Sequence, residues 1–165
     1  MKPELFCMET QRKIMVFDLD GVILDIDELK QRFPSASSFE LYNRLTQFAV
    51  PVRSTVEFIR EVHERHCCYI LSSRRREGEP TMQFVRRFLT QQGLARYFKG
   101  VYLVESPEEK NDVLRKLKAD VYFDDTQEYL DVIKVHEQKR GFRRILMTAN
   151  TNPKGVFNNG KIEGD

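Results

Sequence analysis

Five short apolar runs punctuate the chain: Ile14–Phe17, Cys67–Leu71, Val101–Val104, Val121–Phe123 and Ile145–Met147. Within them apolar and polar residues do not alternate, and such runs fit strands buried on both faces of a parallel sheet. Longer amphipathic segments separate them. Val52–His66 sets Val56, Ile59 and Val62 at helical spacing, and Thr81–Gln92 does the same with Phe84, Val85, Phe88 and Leu89 before a stop at Gly93. Pro107–Lys118 follows Ser106, an N-cap with proline at the first helical position and Glu109 three residues on. A fourth helix is predicted over Gln127–Arg140, ending at Gly141. Strands alternating with helices predict an α/β fold: a Rossmann-like parallel sheet of about five strands with helices on both faces.

Two stretches depart from this rhythm. Residues 22–51 are long for a strand-to-helix connection and predict a small cap or insert with a helical piece over Phe39–Phe48, between Pro34 and Pro51. The tail, 151–165, is rich in Asn and Gly and reads as loop or frayed end. With 165 residues, this is the length of one domain, 1–165. At 41% hydrophobic and 32% charged, the chain has the composition of a folded globular protein. No apolar run approaches a membrane span, and Met1–Thr10 lacks the apolar core of a signal peptide, so a cytoplasmic protein is expected. Cys7, Cys67 and Cys68 offer neither a disulfide framework nor zinc spacing, and Cys67 and Cys68 read as small core residues.

Candidate chemistry lies just beyond three of the runs. Ile14–Phe17 leads into Asp18-Leu19-Asp20-Gly21, Tyr69–Leu71 into Ser72-Ser73-Arg74, and Val121–Phe123 into Asp124-Asp125-Thr126. In an open parallel sheet the carboxyl ends of the strands share one edge, where ligands bind. Asp18 and Asp20, two apart on extended chain, project to the same side. Carboxylates converging there repel one another unless their pKa values rise or a cation sits among them. An all-oxygen set without His or Cys suits Mg²⁺. His63, His66 and His136 fall on predicted helices away from strand ends and read as surface or helix-end residues.

These motifs resemble those of the haloacid dehalogenase-like superfamily of phosphohydrolases. Asp18-Leu19-Asp20-Gly21-Val22 matches its first motif, Leu71-Ser72 its second, Lys110 its third and Asp124-Asp125 its fourth, in the family order. The resemblance implies Asp18 as nucleophile, forming an aspartyl-phosphate, and Asp20 as general acid and then base. It implies Mg²⁺ held by Asp18, the Asp20 carbonyl and Asp124-Asp125. Ser72 would donate to the phosphoryl oxygens, and Lys110 would offset negative charge at the nucleophile. Lys116 and Lys118 are further along the same predicted helix and further from the site.

The segment Ser72-Ser73-Arg74-Arg75-Arg76-Glu77-Gly78-Glu79-Pro80-Thr81 also resembles the 3′-phosphatase domain of phage polynucleotide kinase-phosphatases, as do Lys110-Asn111-Asp112-Val113 and Asp124-Asp125-Thr126-Gln127. The GxxxxGK(S/T) phosphate loop of a kinase half does not occur in the chain. This resemblance implies a phosphorylated substrate at a polynucleotide end, with Ser73, Arg74 and Arg75 as substrate-binding residues. Charge bears on the same point. Residues 52–99 hold ten Lys+Arg against five Glu, a local +5 within a whole-chain charge of +2. Arginines near the mouth of the site could position polynucleotide phosphates. A small-molecule phosphatase acting on nucleotides is the alternative substrate reading. A receiver-type signalling module is disfavoured, because there the acidic pair precedes the acceptor Asp. A catalytically idle scaffold has no support, since every catalytic position is filled by a competent residue.

Overall fold

The structure, a computed structural model, describes residues 12–74, 81–148 and 151–158. Among these, five strands, β1 (Ile14–Phe17), β2 (Cys67–Ser72), β3 (Phe98–Leu103), β4 (Val121–Asp124) and β5 (Arg143–Leu146), form one sheet in the order β3-β2-β1-β4-β5. All four pairings are parallel, with Val16 facing Tyr69 on one side and Tyr122 on the other. The chain steps outward from β1 to β3 and then crosses back to β4 and β5. The order therefore reverses between β1 and β4, and a crevice opens at their carboxyl ends.

Among the described residues, seven helices connect and cover the sheet: α1 (Ile26–Arg32), α2 (Ser38–Tyr42), α3 (Arg53–Val62), α4 (Thr81–Gln91), α5 (Lys110–Leu117), α6 (Gln127–Asp131) and α7 (Pro153–Asn158). Alternation along the strands divides the core. Met15, Phe17, Ile70 and Phe123 face α3, α4 and the 22–51 segment, whereas Val16, Leu71 and Tyr122 face Leu114, Leu130 and Ile133. Phe17 and Phe123 stack at 4.5 Å, and Phe58 of α3 meets both edge-on. Among the described residues no helix is long and apolar enough to cross a membrane.

Several boundaries differ from the sequence expectation. β3 begins at Phe98 and β5 at Arg143, earlier than their apolar centres. α5 starts at Lys110: Ser106 does accept from the Glu109 amide at 3.3 Å, but residues 107–109 form a preceding turn. The helix predicted over Gln127–Arg140 breaks after α6. Ile133 and Val135 are both buried, and two residues apart they cannot share one helical stripe. Asn111 holds the break open, its Nδ2 donating to the Val132 carbonyl at 2.8 Å and its Oδ1 accepting from the Lys134 amide at 2.8 Å.

The 22–51 segment is more helical than expected, with α1 and α2 ahead of a 3₁₀ turn at Arg44–Phe48. Asp25 caps α1 by accepting from the Glu28 amide, and Ser37 and Glu40 form a capping box on α2. Its two ends meet: Val52 N donates to Ile23 O at 2.7 Å and Asp25 N to Val50 O at 2.9 Å. The expected loop tail also contains a helix. α7 docks because Phe157 packs edge-on to Phe58 and Arg143 donates to the carbonyls of Val156 and Phe157.

Candidate active site

The crevice between β1 and β4 collects the acidic residues. Asp18 immediately follows β1, its amide donating to Phe123 O at 2.8 Å, and Asp124 is the last residue of β4. Oxygens of Asp18, Asp124 and Asp125 lie within 4.8 Å of one another. Asp20 stands outside this trio, immediately before the turn that Gly21 makes possible. Gly21 has φ +77°, and a Cβ there would collide with the Asp125 carboxylate. The close approach of chain and carboxylate thus requires glycine at this position.

One ammonium lies behind the trio. Lys110 Nζ donates to Asp18 Oδ1 at 3.2 Å, Asp124 Oδ2 at 3.1 Å and the Tyr122 hydroxyl at 2.6 Å, a full set of three acceptors. Its side chain is fully buried. Burial works against the charged form, but Asp18 and Asp124 outweigh it and raise the lysine pKa. The charges nevertheless do not balance: three carboxylates face one ammonium. Burial foremost, with the neighbouring Asp124, Asp20 and Asp125, pushes the Asp18 carboxyl well above the usual carboxylate range against the pull of Lys110. Asp125 is raised to about 6, again by burial first and then by Asp124. This crowding of hard oxygen donors is the environment a small divalent cation such as Mg²⁺ fits.

A second cation sits at the mouth. Arg74 forks onto Asp20, Nε to Oδ2 at 2.8 Å and Nη2 to Oδ1 at 2.6 Å, with its side chain 2% exposed. Its Nη1 donates to the Tyr42 carbonyl at 3.1 Å and to Thr46 Oγ1 at 2.6 Å, and its guanidinium lies 5.0 Å from the Tyr42 ring centre. Arg74 therefore joins Asp20 to the 22–51 segment instead of extending free into the cleft. Ser72 is buried and its Oγ accepts from the Arg74 amide at 3.3 Å. Ser72 and Ser73 both line the cleft, whose volume is about 190 Å³, with Asp18, Asp20, Asp125, Lys30 and Tyr129 among its other walls. Arg75 lies outside the described residues. Lys116 and Lys118 are exposed, and none of the three histidines lines the cleft. A larger hollow of about 610 Å³ lies along the 22–51 segment, between Arg32, Phe33, Arg44 and Phe48, and no site carboxylate reaches it.

Tyr122 lies inside the apolar run Val121–Phe123, but its hydroxyl belongs to the site, donating to Asp124 Oδ2 at 2.5 Å while accepting from Lys110. Burial, and then Asp18 and Asp124, push its pKa far up, so the phenol keeps its proton. The available signal was its position two residues before Asp124 on a strand, which sets both side chains on one face. Thr46 and Tyr42 carried no comparable signal.

The five-stranded parallel order, with an acidic crevice between β1 and β4, is a haloacid dehalogenase-like α/β fold. No protein-family model and no curated protein matches the sequence. Among solved structures, a haloacid dehalogenase-like hydrolase from Streptococcus pneumoniae is similar over 92% of both chains, with a TM-score of 0.58 at 10% identity. The L-2-haloacid dehalogenase of Xanthobacter autotrophicus with chloropropionic acid covalently bound gives 0.59 at 12% identity, covering 93% of this chain and 85% of that one. A haloacid dehalogenase family enzyme from Bacteroides thetaiotaomicron, solved with magnesium and inorganic phosphate, gives 0.52 at 14% identity over 88% of this chain and 99% of that one. These neighbours establish the fold.

Proposed function

We propose that the chain is a Mg²⁺-dependent phosphomonoesterase acting through an aspartyl-phosphate at Asp18. The observation that carries this reading is the Asp18, Asp124 and Asp125 cluster backed by buried Lys110. Displacing halide from a haloacid brings only a single carboxylate charge, held off the reacting carbon, and calls for no such cluster at the nucleophile. Phosphoryl transfer brings a dianion against Asp18 and does need one. Asp18, Asp124 and Asp125 would hold the cation, with the Asp20 carbonyl as the further donor implied by the family resemblance. When bound, Mg²⁺ supplies charge neutralisation and polarises the phosphoryl group.

An Asp18 oxygen attacks phosphorus in line, the new P–O bond forming as the bond to the leaving oxygen breaks. Asp20 protonates that oxygen, then takes a proton from the water that hydrolyses the aspartyl-phosphate. Arg74 offers Asp20 only donors, so the fork as found suits the second, proton-accepting step. The first step requires one arm of the fork to open as substrate enters. Ser72 donates to the phosphoryl oxygens once its hydroxyl turns toward the cleft, and Lys110 keeps Asp18 from carrying its charge alone.

The substrate we favour is a nucleic acid 3′-phosphate end. A cleft of about 190 Å³ accepts a phosphoryl group and its nearest neighbours, below the roughly 300 Å³ at which small-molecule pockets begin. The remainder of the substrate then lies outside, as a polymer can, and the 22–51 segment acts as a small cap that leaves the mouth open. Ser73 and Arg75 are the candidate contacts to the substrate backbone. The test is phosphate release, with and without Mg²⁺, from 3′- and 5′-phosphorylated oligonucleotides, nucleoside monophosphates and p-nitrophenyl phosphate. Turnover without metal, or full activity in Asp18→Asn, would overturn the mechanism. Activity confined to mononucleotides would remove the polynucleotide end.

A further inference from the structure

The Tyr122 ring is fully buried in an otherwise apolar part of β4, where valine or leucine would pack without a polar atom to satisfy. Burying a phenol is costly unless its hydroxyl is bonded, and here both its donor and an acceptor position are used. The hydroxyl accepts from Lys110 at 2.6 Å, the shortest of the three bonds that ammonium makes, and donates to Asp124 Oδ2 at 2.5 Å. Asp124 Oδ2 thereby receives two donors, Lys110 and Tyr122. Oδ1 accepts from the Thr126 amide at 3.0 Å.

Lys110 stands between two carboxylates with different tasks, Asp18 and Asp124. With only those two acceptors, a buried ammonium could settle against either. The Tyr122 hydroxyl adds a third, rigid acceptor on the strand that also carries Asp124, and so fixes where between them the ammonium rests. The ring adds to this, with Nζ 5.3 Å from its centre, and Tyr129 lies 5.4 Å from the same ammonium.

We infer that Tyr122 is a positioning residue, whose hydroxyl aims the Lys110 ammonium at Asp18 and helps occupy Asp124 Oδ2, so that Oδ1, bonded to the Thr126 amide, is the less occupied oxygen. This rests on the phosphatase reading, and the test separates the two. Tyr122→Phe keeps the ring and its packing. The wild-type chain is first assayed with Mg²⁺ on p-nitrophenyl phosphate, and its inactivity would count against the phosphatase reading alone. Given activity, Tyr122→Phe lowers kcat about tenfold, the worth of one hydrogen bond to a charged group, with KM changed less than about twofold. In a Lys110→Met background the same change costs less than about twofold, because the group it aims is gone.

An independent arm follows the Lys110 ζ-nitrogen resonance in metal-free protein, which shifts in Tyr122→Phe. Equal losses in both backgrounds, or an unmoved lysine resonance in a folded variant, would overturn the inference and leave Tyr122 a packing residue.

Discussion

Two buried cations serve this site in different ways. Lys110 is fully buried and shared by two carboxylates, and its third proton goes to a phenol on the same strand face as Asp124. Arg74 is nearly as buried, yet it grips one carboxylate that keeps 19% of its side-chain surface in water, and its remaining donor reaches the 22–51 segment. A compact ammonium suits sharing between groups on two strands. A planar fork suits fixing a single group and tying it to a neighbouring element. The contrast separates a cation shared between two carboxylates behind Asp18 from one that ties Asp20 to the 22–51 segment.

Removing Lys110 tests that contrast most severely. Lys110→Met leaves Asp18 and Asp124 buried without their cation, and breaking such a pair costs about 3–5 kcal/mol. Urea denaturation at neutral pH should register that loss, and a cost below about 1 kcal/mol would show the ammonium to be incidental. Arg74→Leu should cost less, about 2 kcal/mol, because Asp20 recovers some hydration. Its distinctive mark is faster hydrogen exchange around Tyr42 and Thr46 with β1 and β4 unchanged. Uniform acceleration across the sheet would erase the distinction between the two cations.

Gly21→Ala probes the turn between them. Forcing a side chain into left-handed backbone costs about 1–2 kcal/mol, and the added methyl displaces the Asp125 carboxylate. Calorimetry should record weaker Mg²⁺ binding, and undiminished affinity would place the cation away from Asp125.

The smallest effect is a pH dependence. The Asp125 carboxyl is raised from its ordinary 3.8 to about 6, so between those values the folded chain binds more protons than the unfolded chain. Its stabilising contribution is therefore full below about pH 3.8 and fades as pH rises through about 6. Asp18 is raised in the same direction by burial and by the same crowding. Metal-free protein should lose stability across that window, and Asp125→Asn should flatten part of the loss. Mg²⁺ should then raise Tm more at pH 7.5 than at pH 5, where it must displace a proton. Equal gains at both values would count against cation binding by these carboxylates.

The parts of the molecule that could be read in advance share a physical basis. A strand buried on both faces must be apolar throughout, so the centres of β1, β2 and β4 were visible as runs, and the polar residues beyond them marked the ligand edge. The ends of β3 and β5 were not visible, because Phe98–Gly100 and Arg143–Arg144 are set by pairing with β2 and β4. The helix drawn over Gln127–Arg140 was too long because periodicity could not show that Asn111, 21 and 23 residues away, takes up the backbone at Val132 and Lys134. α7 escaped notice because it is held by packing against Phe58 and by Arg143, in a stretch whose Asn and Gly disfavour helix.

In the site, local chemistry could be read where it is carried by neighbours in sequence. Asp18, Asp20 and Gly21 share one turn, and Asp124 and Asp125 share one strand end. What the chain encodes locally is thus the run of strands, the edge their carboxyl ends share and the acidic groups delivered there. The fold alone decided the pairings of those groups: that Lys110 would be buried between Asp18 and Asp124, that Tyr122 would hold it, and that Arg74 would turn inward to Asp20. Spacing along the sequence sets which face a residue occupies. Which charge it meets there depends on elements 54 residues apart for Arg74 and Asp20, and 92 for Lys110 and Asp18, brought together only by closure of the sheet.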